Sequence, residues 1–392
     1  MRVVINAQLD PSRSGGIAQV VLGLAHGLGR LRDGNEYVFV CSAAFAEWMG
    51  EGLGANVKIV VNRRSTPGPK RGIRESDGFW ESFAPDVLHF PYQSFTRTAI
   101  PSVFNPHDLQ HLHLPECFDA DERDRRETLY REACAAATVV AVASDWVRED
   151  VIERYQLPPE KIVNVPWGPP TQTYERPNAD ETRRVLAKYD LETGFMLYPA
   201  QTWPHKNHLA LLDALHMFWT KNGADACMNQ LRLVCTGAMT EHYARIEARV
   251  NELGLRSRVR FLGWIPGTEL VALYQSALFV ILPTLFEAES LPLLEAFAEG
   301  VPVACSRVTS LPEQAGDAAH FFDPNQPESI AEAIERMASD RPSRDQCVAR
   351  GRQRLTEFSW DATARAYRNV YARIASVKRE LAVLPSRGDG VV

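Results

Sequence analysis

A chain of 392 residues with 45% hydrophobic and 23% charged side chains is long enough for two globular cores. A net charge of −6 removes the electrostatic case for nucleic acid as the main partner, and no apolar run reaches bilayer-spanning length. The seven cysteines (Cys41, Cys117, Cys134, Cys227, Cys235, Cys305 and Cys347) show no C-x-x-C spacing, which fits reduced structural thiols in a cytosolic protein rather than a disulfide framework.

Residues 2–7 read as a first strand, and the N-terminus is too short for a signal peptide. Residues 10–17 form a polar, Gly-rich loop, followed by an amphipathic helix over 18–28. The Gly15-Gly16 pair lets a ligand approach the backbone, although a plain tight turn uses the same residues. Residues 37–41 and 57–61 are strands. Residues 62–74 carry Arg63, Arg64, Lys70, Arg71 and Arg74 among Pro and Gly. A solvated basic loop is the plainer reading; contact with an anionic acceptor or a membrane face is the sharper one.

A strand over 86–90 precedes a stretch holding His107, His111 and His113. His107 and His111 have helical zinc-motif spacing, but the stretch reads as strand and loop and lacks the accompanying Glu, so no metal is expected. Asp119 and Asp121 are formally a D-x-D. They stand before a charged helical run, 121–134, and read as a helix cap. A buried strand over 138–143 ends at Ser144, a helix covers 145–155, and the turn Trp167-Gly168-Pro169 opens a Pro-, Thr- and Gln-rich linker over 169–178.

The second half opens with a polar helix over 179–189 and a strand over 195–198. Lys206 follows, just before a helix over 209–219. There its ammonium can meet a diphosphate. The alternative, a surface Lys, is weakened because a cation at a helix start opposes the dipole. Strand-and-turn units recur at 231–237, ending in Gly237, and at 259–266, with Gly263, Trp264 and Ile265 in the turn. Then 279–282 is a buried strand, 286–290 a loop, and 291–299 a helix with Pro292 in its first turn and Gly300 as its stop. The backbone amides near Ser290 and Leu291 suit an anion. Glu287 and Glu295 would repel one; they suit hydroxyls of a sugar and a ribose. Their plainer readings are a solvated loop residue and a helix charge.

Taken together, Glu287, Leu291, Pro292, Glu295, Gly300, Val301, Pro302 and Val303 resemble the signature of the family-4 glycosyltransferases, which have the GT-B fold. The resemblance runs from about residue 2 to 375. It departs at Ala288-Glu289-Ser290, where the family has Gly-Phe-Gly, at Trp167-Gly168, where it has Asn-Gly, and at Gln201, where it has an Arg. Gln201, His205 and Arg307 are the candidates to replace that Arg.

The resemblance implies an α/β GT-B protein: two Rossmann-like doubly wound domains, 1–170 and 179–360, facing a cleft, with 361–392 crossing back to the first. It implies retaining, metal-independent transfer of a hexose from a nucleotide-diphosphate sugar of the GDP-mannose or UDP-hexose type. The acceptor would be a glycan, lipid-linked or other hydroxyl in surface-polysaccharide or glycoconjugate synthesis. No cofactor is implied. The expected location is cytoplasmic, with a peripheral contact at the inner membrane face left open. In this reading His107 and Glu287 bond the donor sugar and Lys206 the diphosphate. Gly15, Gly16, Gly237, Trp264, Ile265, Ser290, Leu291 and Glu295 hold the rest of the donor, Glu295 at the ribose and Trp264-Ile265 at the base. Alternatives are a non-catalytic or hydrolytic sugar-nucleotide-binding protein, suggested by Gln201, Glu289 and Ser290, a GT-B-like epimerase, and a phosphorylase.

Overall fold

The structure, a computed structural model, describes residues 1–11, 15–64 and 72–383. Loop residues 12–14, Lys70 and Arg71 of the basic loop, and the polar tail from Arg387 lie outside the described residues. The chain divides into two compact units, Met1–Trp167 with Trp360–Val392, and Gly168–Ser359.

The first unit holds β1 (Arg2–Ala7), β2 (Glu36–Cys41), β3 (Val57–Val61), β4 (Arg74–Glu75), β5 (Val87–Phe90), β6 (Thr96–Arg97), β7 (Ser102–Phe104), β8 (Val139–Val142) and β9 (Ile162–Asn164). Strands β4 and β6 form a small separate ladder; the main sheet has the order β3-β2-β1-β5-β7-β8-β9. All its pairings are parallel, with Val3 opposite Tyr37 and Val87. Near-continuous apolar runs such as Val3-Val4-Ile5 and Val139-Val140-Ala141-Val142 are buried, as a sheet covered on both faces requires. The order reverses between β1 and β5.

The helix Gly15–Arg30 starts three residues before the expected position, so Gly15 and Gly16 belong to its first turn rather than to a loop, with Gly15 at φ +49°. The last helix, Trp360–Val383, packs on this helix. Gly23 and Gly27 make that approach possible: a Cβ on Gly23 would lie 2.1 Å from the Trp360 ring, and one on Gly27 2.4 Å from the Trp360 carbonyl. The same helix sends polar groups under the sheet. The Tyr371 hydroxyl donates to His89 Nδ1 at 2.7 Å, His89 Nε2 donates to Asn105 Oδ1 at 2.7 Å, and Asn105 Nδ2 donates to the Ala141 carbonyl and meets the Tyr367 hydroxyl, each at 2.9 Å.

Local chemistry sets the helix starts. Asp119 caps the helix Ala120–Ala136 by accepting from Glu122 N at 2.7 Å, as the sequence suggested, and Ser144 caps Asp145–Tyr155. Residues Gln110–His113 are a short helix where loop was expected.

The second unit contains β10 (Phe195–Pro199), β11 (Leu233–Thr236), β12 (Val259–Phe261), β13 (Ala277–Leu282), β14 (Val303–Ser306) and β15 (Ala319–Phe322), in the parallel order β12-β11-β10-β13-β14-β15. A capping box between Asn178 and Glu181 starts the helix Ala179–Lys188. The stretch expected as a linker is instead docked: Pro170–Thr173 is a 3-10 helix with Thr171 buried, and a Cβ on Gly267 would meet the Tyr174 ring at 2.8 Å. Strand β10 connects to β11 and β12 on one side, and β13 lies on its other side. The order therefore reverses between β10 and β13, the point where open parallel sheets bind ligands at their carboxyl ends.

Candidate functional site

The reversal between β10 and β13 brings two loops together. The loop after β10 ends in the 3-10 turn Pro204–Lys206; the loop after β13 carries Glu287. Leu285 N and the Thr284 hydroxyl both donate to the His205 carbonyl, at 2.8 and 3.2 Å. Asn207, at φ +59°, donates through Nδ2 to the carbonyls of Pro283 and Pro324, at 3.0 and 2.9 Å. The Tyr198 hydroxyl donates to the Lys206 carbonyl at 2.5 Å. These bonds hold Lys206 on a fixed turn.

Lys206 Nζ lies 2.6 Å from Glu287 Oε1, and the two side chains are 18% and 12% exposed. The sequence placed both residues at one ligand; the structure joins them to each other. One cation and one carboxylate thus share a largely desolvated position at the strand reversal.

Beyond Glu287, Ser290 precedes the helix Leu291–Glu299, whose C-terminal Gly300 has φ +70°. Ser290 N–H donates to Gln314 Oε1 at 2.8 Å, so this amide, expected to face an anion, is already engaged inside the protein. The buried Ser290 hydroxyl has no partner among the described residues. Glu289 is buried as well.

Glu295 is 5% exposed, and its Oε2 accepts from the Tyr274 hydroxyl at 2.7 Å. Burial pushes this carboxyl up to about 7; the bond from Tyr274 opposes the shift and the Glu299 carboxylate adds to it. A carboxylate accepts several hydrogen bonds, so Tyr274 orients Glu295 without exhausting it.

Gly237 and the turn at 263–265 stand on the other strands of the same edge. Gly237, at φ +105°, donates its N–H to the Gly263 carbonyl at 2.8 Å, and a Cβ on it would sit 2.6 Å from the Ala200 backbone. Only glycine fits there. Ile265 is buried, whereas Trp264 is 71% exposed, so the indole projects from the turn into solvent. Of the three residues considered for the missing Arg, Gln201 accepts from Trp203 Nε1 at 2.6 Å, the exposed Arg307 has its guanidinium over the Phe321 ring at 4.5 Å, and His205 contributes its carbonyl to the loop contact above.

In the first unit His107 is buried and adopts φ +70°, an uncommon conformation for a side-chain-bearing residue. Burial holds its pKa below the usual value, against the raising influence of Asp108 and of the Pro91 carbonyl. The ring is therefore neutral near pH 7. Nε2 lies 2.8 Å from that carbonyl and must carry the proton, which leaves Nδ1 as an acceptor, buried and unpartnered among the described residues. The other two histidines diverge from it: His111 Nε2 meets Glu127 at 3.1 Å and His113 Nε2 meets Asp150 at 2.9 Å. No group of three or more His, Cys, Asp or Glu able to hold a metal occurs among the described residues.

Sequence reasoning missed Tyr274, Thr309, Ser310 and Gln314, which bond Glu295 or the 287–290 loop from outside the signature. Tyr274, Thr309 and Ser310 have no local motif. The only available cue was the position of 309–314 directly after the strand that follows the signature.

The family model described as "Glycosyl transferases group 1" matches residues 179–354, and "Glycosyltransferase Family 4" matches residues 14–172. The O-antigen chain mannosyltransferase B of Escherichia coli is 30% identical over 286 residues, 73% of this chain and 74% of that protein. Sucrose-phosphate synthase of Thermosynechococcus elongatus superposes with a TM-score of 0.73 at 18% identity, covering 96% of this chain and all of that one. The HepE protein of Anabaena, crystallised with UDP and glucose, superposes with a TM-score of 0.72 at 16% identity, covering 95% of this chain and all of that one. The fold is thus GT-B, and no helix among the described residues is long and apolar enough to cross a membrane. With both halves matched in chain order and a relative at 30% identity spanning most of its length, the chain belongs to the group 1 glycosyltransferases and is a transferase.

Proposed function

We propose that this transferase moves a hexose from a nucleotide-diphosphate sugar to an acceptor hydroxyl, with retention at the anomeric carbon and without a metal ion. The observation that carries the reading is the Lys206–Glu287 pair, 2.6 Å apart at the strand reversal of the second unit. Departure of a nucleoside diphosphate builds negative charge, which an ammonium fixed on a rigid turn stabilises without reorganising. Glu287 then releases Lys206 to the diphosphate and accepts hydroxyls of the sugar. Because Gln314 occupies the Ser290 amide, the contribution of this helix is assigned to the Leu291 amide and the helix dipole.

Glu295, oriented by Tyr274, accepts from the ribose. Gly237, Trp264 and Ile265 are assigned to the base, and Gly15 and Gly16 to the close approach of substrate to the first unit's backbone. His107 is assigned to a sugar hydroxyl, for which its Nδ1 is an acceptor. The donor is assigned to the GDP-mannose or UDP-hexose type: the mannosyltransferase relative supports mannose as the sugar, and the structure bound to UDP and glucose supports a UDP-hexose. The O-antigen role of the mannosyltransferase relative supports a glycan acceptor in polysaccharide synthesis.

Release of GDP or UDP from a panel of GDP- and UDP-sugars, with EDTA present and absent, tests the reading. Turnover of one donor that survives EDTA and falls on Lys206→Ala or Glu287→Ala supports it. Loss of turnover in EDTA with restoration by magnesium or manganese refutes the metal-independent mechanism.

A further inference from the structure

Glu287 is on a loop, and a loop carboxylate bonds a substrate accurately only if its backbone is held. In this chain the holding groups come from a different connection, the one after β14. The Thr309 hydroxyl accepts from Glu287 N–H at 3.0 Å and donates to the Glu287 carbonyl at 2.7 Å. The Ser310 hydroxyl donates to the same carbonyl at 2.8 Å. Four residues further on, the Gln314 carboxamide closes a matching pair with Ser290, accepting from its N–H at 2.8 Å and donating to its carbonyl at 3.1 Å. Both ends of the 287–290 loop are therefore bonded on N–H and carbonyl alike. Ser290, Ser310 and Gln314 are buried, so no water competes for these bonds.

Two further observations separate this arrangement from ordinary loop packing. Thr309 has φ +44°, a conformation that β-branched residues avoid and that persists only where the surroundings enforce it. The strain serves to bring one hydroxyl onto both backbone groups of Glu287. Gln314 is anchored in turn by Arg354, whose Nε donates to the Gln314 carbonyl at 3.0 Å and whose terminal nitrogen donates to the Glu313 carbonyl at 2.6 Å. The support thus runs from Arg354 through Gln314 to Ser290.

We propose that Thr309 and Gln314 are positioning residues for sugar transfer: they fix the backbone of the 287–290 loop so that the Glu287 carboxylate meets both Lys206 and the donor sugar. This rests on Glu287 acting on the donor, as proposed above. A displacement of about 1 Å at a positioned group costs up to roughly a hundredfold in rate, so loss of either bonded pair is expected to be visible in kcat.

Thr309→Val keeps the shape and β-branch but removes the hydroxyl; Thr309→Ser keeps the hydroxyl; Gln314→Met keeps length without the carboxamide. Each is assayed beside Glu287→Ala with the donor that the GDP- and UDP-sugar panel identifies, together with calorimetric binding of the sugar-free product, GDP or UDP, and a thermal melt. The expected result is a roughly ten- to hundredfold fall in kcat for Thr309→Val and Gln314→Met, product affinity within about twofold of wild type, and recovery of most of the rate in Thr309→Ser. A merely structural role would leave Ser no better than Val, or lower product binding in step with kcat; either overturns the proposal, as does a Thr309→Val kcat equal to wild type while Glu287→Ala is impaired. Should Thr309→Val fail to fold, Thr309→Ser and Gln314→Met decide by the same kcat and product-affinity criteria. If Glu287→Ala itself leaves turnover unchanged, or no donor turns over, the reading of the site is refuted and the positioning role with it.

Discussion

Removal of Glu287 should separate transfer from product binding in opposite directions. Lys206 and Glu287 meet at 2.6 Å with side chains 18% and 12% exposed, so Glu287→Ala leaves an ammonium largely desolvated and without its carboxylate. A diphosphate is the natural replacement. In the wild type Lys206 is divided between Glu287 and the incoming phosphates; in the variant it is not. Affinity for GDP or UDP, which lack the sugar, is therefore expected to stay level or to tighten by about 1 kcal/mol, roughly fivefold in Kd. Turnover falls, because the sugar loses its acceptor carboxylate. Lys206→Ala removes a charge-assisted bond of about 1.5–3 kcal/mol, a loss of roughly 10- to 150-fold in product affinity. In the double variant product affinity should match Lys206→Ala, since without the ammonium Glu287 has nothing to release. Calorimetry with GDP and UDP on all four proteins, beside initial rates and thermal melts, reads these effects directly. If Glu287→Ala weakens product binding as much as Lys206→Ala does, or if Lys206→Ala binds product as wild type does, the assignment of cation to diphosphate and carboxylate to sugar is wrong.

Burial raises the Glu295 carboxyl to about 7, while the ribose contact favours its ionised form; product affinity should thus be full above pH 7 and fall about tenfold between pH 8 and pH 6. Glu295→Gln should bind more weakly at pH 8 and lose that part of the slope. An unchanged slope in the variant would place the titration elsewhere, the nucleotide's own phosphate included. His107→Ala should lower kcat with the identified donor by more than it weakens GDP or UDP binding, because the proposed contact is to the sugar; equal losses in the two measurements would give the residue a different task. Gly23→Ala should cost about 1–3 kcal/mol in denaturant unfolding, since its Cβ would lie 2.1 Å from the Trp360 ring; a change under about 0.5 kcal/mol would mean that the two helices part without cost.

Much of the molecule was legible in the linear chain because its signals are local. Apolar runs bounded by turns marked the buried strands, Asp119 marked a helix start, and the spacing from Glu287 to Gly300 marked one strand–loop–helix unit. Where the local signal was mixed, the reading slipped. The Gly15-Gly16 pair looked like a loop, yet a helix accepts both in its first turn when the apolar face behind them is buried. The stretch at 169–178 had the composition of a linker, but Thr171 is buried and the Tyr174 ring lies against Gly267, and packing outweighs composition.

The residue types at the candidate site could be named from sequence; their partners could not. Lys206 and Glu287 are 81 residues apart, and only the parallel pairing of β10 with β13 makes them neighbours. Glu295 looked like a helix charge or a ribose ligand; burial raises its pKa, with the Glu299 carboxylate adding to the shift, while the Tyr274 hydroxyl, 21 residues away, orients it and opposes the shift. The roles of Thr309 and Gln314 could not be read, because their task is to bond backbone groups that every residue possesses. Sequence by itself determined which segments become strands and helices and which charged side chains stand at their ends, since these follow from nearest neighbours along the chain. Tertiary structure alone decided which of those charges are paired, how far each is removed from water and what holds it in place, since these depend on groups brought together from distant parts of the chain by the order of the strands.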